Sequence, residues 1–226
     1  MTRPLPKSAA RATRSLAEAN GRRPGAKRLQ NEARILKAAE EVFASAGFSG
    51  ARTAAIARRA GVPKANLHYY FGTKEALYRK VLEHILQVWL ALGDSIRPDA
   101  DPAEALAAYV AAKVEHSRTR PHASKVFANE LLHGAPQIKG YLRNELKRWV
   151  EAKVAVIDGW VAAGRLAPIP ARHLFFVLWA MTQTYADFDV QVAAVLGRRR
   201  IAPADYRDAA ALVTRLILRG CGLPER

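Results

Sequence analysis

From Asn31 onward the apolar residues of this chain return every three or four positions, and no stretch alternates as a strand would. That period restricts the fold to packed helices, and glycines and prolines mark where they stop and start. Ile35, Leu36, Ala39, Val42, Phe43 and Ala46 share one face and predict a helix over Glu32–Ala46, closed by Gly47 in a left-handed conformation. Thr53 is placed to cap a short helix over Ala54–Ala60, which Gly61 ends. Pro63 opens a third helix to about Tyr70, because its missing N–H costs little at the first helical position. Gly72 stops that helix, and Thr73 caps a fourth running to about Leu92. Further helices are predicted over Pro102–Arg118, Pro121–His133, Gln137–Ala163, Pro170–Asp187 with a short extension to Leu196, and Pro203–Arg219. The expected architecture is all-α: an N-terminal three-helix unit and a larger C-terminal helical bundle.

The charge is not spread evenly along this frame. The whole chain carries +16, yet residues 1–75 hold 15 Lys/Arg against 5 Asp/Glu, so a third of the length supplies most of the excess. A clustered positive field calls for a polyanionic partner. Residues 1–30 have no hydrophobic period, contain Pro4, Pro6, Gly21, Pro24 and Gly25, and read as a disordered basic tail. The helical unit then occupies 31–75 and the bundle 76–226.

Residues 53–71 read TAAIARRAGVPKANLHYYF, a helix, a glycine turn and a second helix. This helix-turn-helix arrangement places its second helix in the major groove of double-stranded DNA. Ile56, Ala57, Val62, Leu67 and Phe71 are the inward set, packing on Ile35, Val42, Phe43 and Phe48. Lys64, Ala65, Asn66, His68 and Tyr69 are left outward, with small, amide, imidazole and phenol groups suited to base edges. Arg52, Thr53, Arg58, Arg59 and Lys74 are disposed around them for phosphates.

At these residues the chain resembles the TetR/AcrR family of ligand-responsive repressors. The pattern AGVxxxNLxYYFxxKEALY carries the likeness, which is close over residues 30–82. The resemblance implies Pro63–Tyr70 as recognition helix, phosphate roles for Thr53, Tyr70 and Lys74, and a mixed base and backbone role for Tyr69. One departure is Pro63, where many members have a capping serine. Beyond the head, WAMTQTYADF at 179–188, ILQVWL at 85–90 and ELLHGAP at 130–136 are similar to a pyrimidine-sensing branch of the family, which implies uracil or thymine as effector.

The bundle residues fit such a ligand on their own chemistry. Trp179 and Gln183 lie one turn apart on a helix face, with Phe176 one turn before Trp179, and Trp89 lies on the fourth helix. Aromatic faces plus an amide, which both donates and accepts, suit a small planar heterocycle. Tyr185 and Asn129 are candidate additional hydrogen-bonding groups. Glu130 and Asp187 read as intramolecular ion-pair partners. A homodimer is expected, built on 170–187 and 203–219 through Leu174, Phe175, Val177, Leu178 and the Ala209–Ile217 stripe, since one recognition helix reads too few base pairs.

Catalysis finds no motif: there is no GxSxG, P-loop or dinucleotide fingerprint, and the six histidines and the single cysteine, Cys221, suggest neither a metal nor a nucleophile. No cofactor is expected. The longest apolar run, Leu174–Met181, is too short to span a membrane, and no secretory leader is evident, so the expected location is the cytoplasm. The reading is a DNA-binding transcriptional regulator, a repressor that binds a palindromic operator as a dimer and is released by a pyrimidine. Two alternatives stand beside it: a similar regulator with another small ligand, and a helical sensor whose basic head binds something other than an operator.

Overall fold

The computed structural model describes residues 24–224, which are helical, with turns and no strand among them. Helix α1 spans Pro24–Gly50. It starts earlier than periodicity indicates, so residues 24–30 belong to a helix and not to the tail; the tail's residues 1–23 lie outside the described residues. The reason is local. Ala26, Lys27, Arg28, Leu29 and Gln30 are all good helix formers, but residues 28–30 are exposed, and a helix turn that buries nothing leaves no apolar period. Gly47 breaks the helix at φ 66° and ψ 175°, a conformation that glycine alone adopts without strain.

Helices α2 (Thr53–Ala60) and α3 (Lys64–Phe71) form the helix-turn-helix. Both begin one residue away from expectation. Arg52 is the N-cap of α2, and Thr53 is its first residue and makes no capping bond. Pro63 is the N-cap of α3 rather than its first residue, and its carbonyl accepts from the Asn66 N–H at 3.0 Å. Between them Gly61 sits at φ 62°, a left-handed conformation that favours glycine, and its carbonyl accepts from the Arg34 guanidinium at 3.3 Å.

Helix α4 (Lys74–Ala91) is capped by Thr73, whose Oγ1 accepts from the Ala76 N–H at 3.0 Å, and runs on into a 3-10 turn, Leu92–Ser95. Helices α5 (Pro102–Thr119) and α6 (Pro121–Leu132) follow. Next, α7 joins Lys139–Tyr141, a π-helical turn Leu142–Leu146 and Lys147–Ala162. The chain closes with α8 (Ala171–Asp187), α9 (Asp189–Val195) and α10 (Pro203–Gly220).

Two apolar cores result. One joins α1–α4 to α6 through Ile35, Phe43, Ile56, Leu67, Leu77 and Phe127. The other joins α5, α7, α8 and α10 through Leu106, Tyr109, Trp160, Phe175 and Ile217. The expected division at residue 75 therefore falls inside a shared helix, and the first core crosses it. Val62 and Phe71 are only partly buried against that core. Leu174, Phe175 and Leu178, assigned to a dimer face, are buried within the chain's own second core. Of the expected face Val177, Leu212 and Leu216 are exposed, and Phe176, Phe188, Val190, Val195 and Leu196 are exposed beside them. A period shows how apolar residues line up on a helix, but not which of two adjacent stripes the chain itself covers.

Candidate functional site

The head presents its recognition helix as the sequence indicates. Leu67 is fully buried under α3, whereas Lys64, Ala65, His68 and Tyr69 are exposed and Asn66 is half-buried. Tyr69 is 77% exposed and stands edge-on to Tyr70, their ring centroids 5.4 Å apart. Tyr70 is half-buried, and its hydroxyl accepts from Asn31 Nδ2 at 3.5 Å. His68 Nδ1 lies 3.1 Å from the Gly72 carbonyl. A carbonyl only accepts, so Nδ1 is the donor in this contact and Nε2 is left facing outward for DNA.

The phosphate set is split by the structure. Arg52 and Arg58 are exposed beside the N-terminus and last turn of α2. Thr53 sits in the first turn of α2, where unpaired N–H groups and the helix dipole favour an anion. Arg59, by contrast, pairs with Glu41. Lys74 is turned inward: its ammonium donates to the carbonyls of Phe48 at 2.9 Å, Ala51 at 3.3 Å and Ser49 at 3.4 Å, and lies 4.6 Å from the centre of the Phe48 ring. All three of its protons are committed to the segment that follows the Gly47 break. Its place is that of a clasp holding α1 to α4.

In the bundle, a cavity of about 40 Å³ is lined by Trp89, Leu86 and Leu90 of α4, Tyr109 and Lys113 of α5, Phe127 of α6, Leu146 and Trp149 of α7, and Trp179 and Gln183 of α8. Trp89, Trp179 and Gln183 are thus brought together. Trp89 stands edge-on to Phe127 at 4.9 Å, and its Nε1 has no partner among the described residues. Trp179 Nε1 donates to the Tyr109 hydroxyl at 2.9 Å, and burial pushes the Tyr109 pKa up to about 12. Lys113 is 3% exposed; its Nζ lies 4.2 Å from the Trp89 ring centre and donates to Gln183 Oε1 at 3.4 Å. Burial pulls its pKa down to about 7, against a smaller opposing pull from Asp187.

The remaining expected ligand groups are elsewhere. Asn129 lines a separate cleft with Phe48, Tyr78 and Gln137, and Tyr185 lies against Tyr206 in a groove with Phe188 and Leu212. Phe176 is 52% exposed and faces out of the bundle. Each was placed by its neighbours in sequence, and a helix turns such neighbours to different sides. Glu130 accepts from the Gln137 N–H at 2.6 Å and Asp187 accepts from Ser124, so both are held by hydrogen bonds and not by ion pairs.

Comparison with known proteins decides the family. The model for the N-terminal region of bacterial regulatory proteins of the tetR family matches residues 35–81, and that for the YcdC-like C-terminal region matches 82–224. The chain is 43% identical over 208 residues to the HTH-type transcriptional regulator RutR of Escherichia coli K12, covering 92% of this chain and 98% of that one. It is 39% identical over 100 residues to the HTH-type transcriptional repressor NicS of Pseudomonas putida, covering 44% and 47%. The chain belongs to the TetR family.

As a TetR-family member it is a DNA-binding transcriptional regulator, and the curated relatives are named as regulators and repressors rather than as enzymes. Solved relatives share the fold: a ketosteroid transcriptional regulator of Mycobacterium tuberculosis superposes with a TM-score of 0.66 at 19% identity, covering 86% of this chain and 95% of that one. A TetR-family regulator of Thermus thermophilus superposes at 0.65 and 21%, covering 85% and 96%. No described helix is long and apolar enough to cross a membrane, and no group of metal-ligating side chains is found among the described residues.

The TetR-family frame also shows what the sequence reading passed over. Lys113 follows Leu106, Tyr109 and Val110 by seven, four and three residues, which places it on the inward face of α5. A lysine on an otherwise apolar stripe was the available signal. Phe127 and Trp149 carried no such signal, since an aromatic lining a cavity and one filling a core obey the same period.

Proposed function

We propose that the protein is a cytoplasmic repressor that binds a palindromic operator as a homodimer and releases it when a small planar pyrimidine, uracil or thymine, occupies the bundle cavity. The observation that carries the ligand is the cavity itself: indole side chains from three helices, an amide that both donates and accepts, and a buried lysine line one space. Its volume in this form accommodates a few waters, so a ring enters by parting α4 from α8. Helix α4 supports the coupling, because it is one rigid element from Thr73 at the head to Trp89 at the cavity. A ligand that prefers the parted form shifts the spacing of the two recognition helices only by its difference in affinity for the two forms. The dimer reading rests on the exposed apolar residues of α8–α10, more than an isolated chain leaves to water without use.

The test is a titration of the operator complex with uracil, wild type beside Gln183→Ala. Release of the wild type and retention of the variant, with equal operator affinity before ligand, is the expected result. Release of both at the same uracil concentration removes Gln183 from the site, and release of neither removes uracil.

A further inference from the structure

The cavity is rich in donors and short of acceptors. Lys113 has three protons and gives one, over 3.4 Å, to Gln183 Oε1. That bond takes one of the two lone pairs of the amide oxygen, and leaves the Gln183 NH₂ as a further donor. Trp89 Nε1 is buried and without an acceptor. On the other side of the balance, the Tyr109 hydroxyl already accepts from Trp179. No carboxylate forms an ion pair with Lys113 among the described residues, and Asp187, which attracts it from α8, accepts from Ser124. His116, one helical step along α5, is itself buried with an unpartnered Nε2, and burial holds it neutral. Lys113 is almost wholly out of water with an aromatic face on one side, a single long hydrogen bond and only the distant pull of Asp187, so most of its hydrogen-bonding capacity is unmet by the chain.

We propose that Lys113 is the specificity-determining residue of this cavity, binding a ring oxygen of the ligand as it takes on negative charge, so that the site selects acidic cyclic imides, rings with an N–H between two carbonyls. This rests on the pyrimidine reading and sharpens it: shape admits the ring, and the oxygen's capacity to carry charge sets the affinity. A charge-assisted hydrogen bond in a dry site strengthens steeply as the acceptor becomes more anionic. The aromatic walls and the amide do not share that dependence, because stacking and neutral hydrogen bonding change little as one ring atom or substituent is exchanged.

The experiment measures dissociation constants at fixed pH for four rings of nearly one shape and rising acidity: thymine, uracil, 5-fluorouracil and 6-azauracil. Wild type is compared with Lys113→Met, an apolar substitution of similar length that removes a buried charge and so does not threaten folding. Operator binding without ligand confirms that the variant's head and dimer are intact. Wild type is expected to tighten by about tenfold or more across the series, while the variant binds all four weakly and alike. A wild type that binds all four equally overturns the role of Lys113 and leaves the pyrimidine cavity standing. A variant whose affinities rise as steeply as those of wild type does the same. A wild type that binds none of them overturns the pyrimidine reading, and this inference with it.

Discussion

Removing Arg120 tests how the DNA-binding head is tied to the bundle. Glu40 lies on α1 with its side chain only 8% exposed, and Arg120, in the turn between α5 and α6, donates to it. The two are 80 residues apart, so the bond joins parts of the chain that nothing local holds together. Desolvation raises the Glu40 pKa from its usual value; Arg120 is the largest influence opposing that rise, followed by His122. Arg120→Ala strands the carboxylate. Breaking a fully buried pair costs about 3–5 kcal/mol, but Arg120 keeps 29% of its side chain in water, so a loss of about 2 kcal/mol is the reasonable figure. For a chain of this size that is a fall in Tm of about 4–8 °C near neutral pH.

The pH dependence separates this cause from simple loss of packing. A carboxylate whose folded pKa is raised is stabilising in its protonated form. Its penalty is present above the folded pKa and disappears as pH falls through it. Arg120→Ala raises that pKa further, so the variant is expected to recover stability relative to wild type between pH 7.5 and pH 5, followed by thermal denaturation. Adding Glu40→Gln to Arg120→Ala should restore much of the loss at pH 7.5. A deficit in Arg120→Ala that is constant with pH, or a double variant no more stable than the single one, would refute the argument.

Other outcomes follow from the same geometry. Lys74→Ala frees three carbonyls after the Gly47 break and is expected to cost about 1.5–3 kcal/mol of head stability. Operator affinity should then fall alike for all sequences while Tm falls with it, and an unchanged Tm would return Lys74 to the phosphate contacts. Substituting Asn66, His68 or Tyr69 should alter preference among operator variants by about 1–3 kcal/mol at single positions, read by competition binding; Arg52→Ala and Arg58→Ala should instead reduce the salt dependence uniformly. Gly93→Ala places a Cβ 2.3 Å from Trp149 Cζ2 and should shift that ring against the cavity, weakening ligand binding with little effect on operator affinity.

The exposed and buried sides of the recognition helix were legible from residue order, because over eight residues between two glycines the period leaves Leu67 a single way to face. The same holds for the Thr73 cap and for α5 and α10, whose prolines mark their starts. Trp89, Trp179 and Gln183 were likewise identifiable as chemistry suited to a planar ring. Where side chains meet across helices was not legible, since helix crossings depend on the packing of whole faces and not on any local pattern. Asn129 lies two residues after the cavity residue Phe127 and Tyr185 two after Gln183, so the helix turn carries each away from the cavity, and the crossings decide which other cleft receives it. The commitment of Lys74 to backbone carbonyls depends on where the chain turns after Gly47. The burial of Lys113 depends on α4, α6, α7 and α8 closing over one face of α5. Local periods determine which residues share a helix face, and the tertiary packing of five helices decides which faces are covered and what they meet.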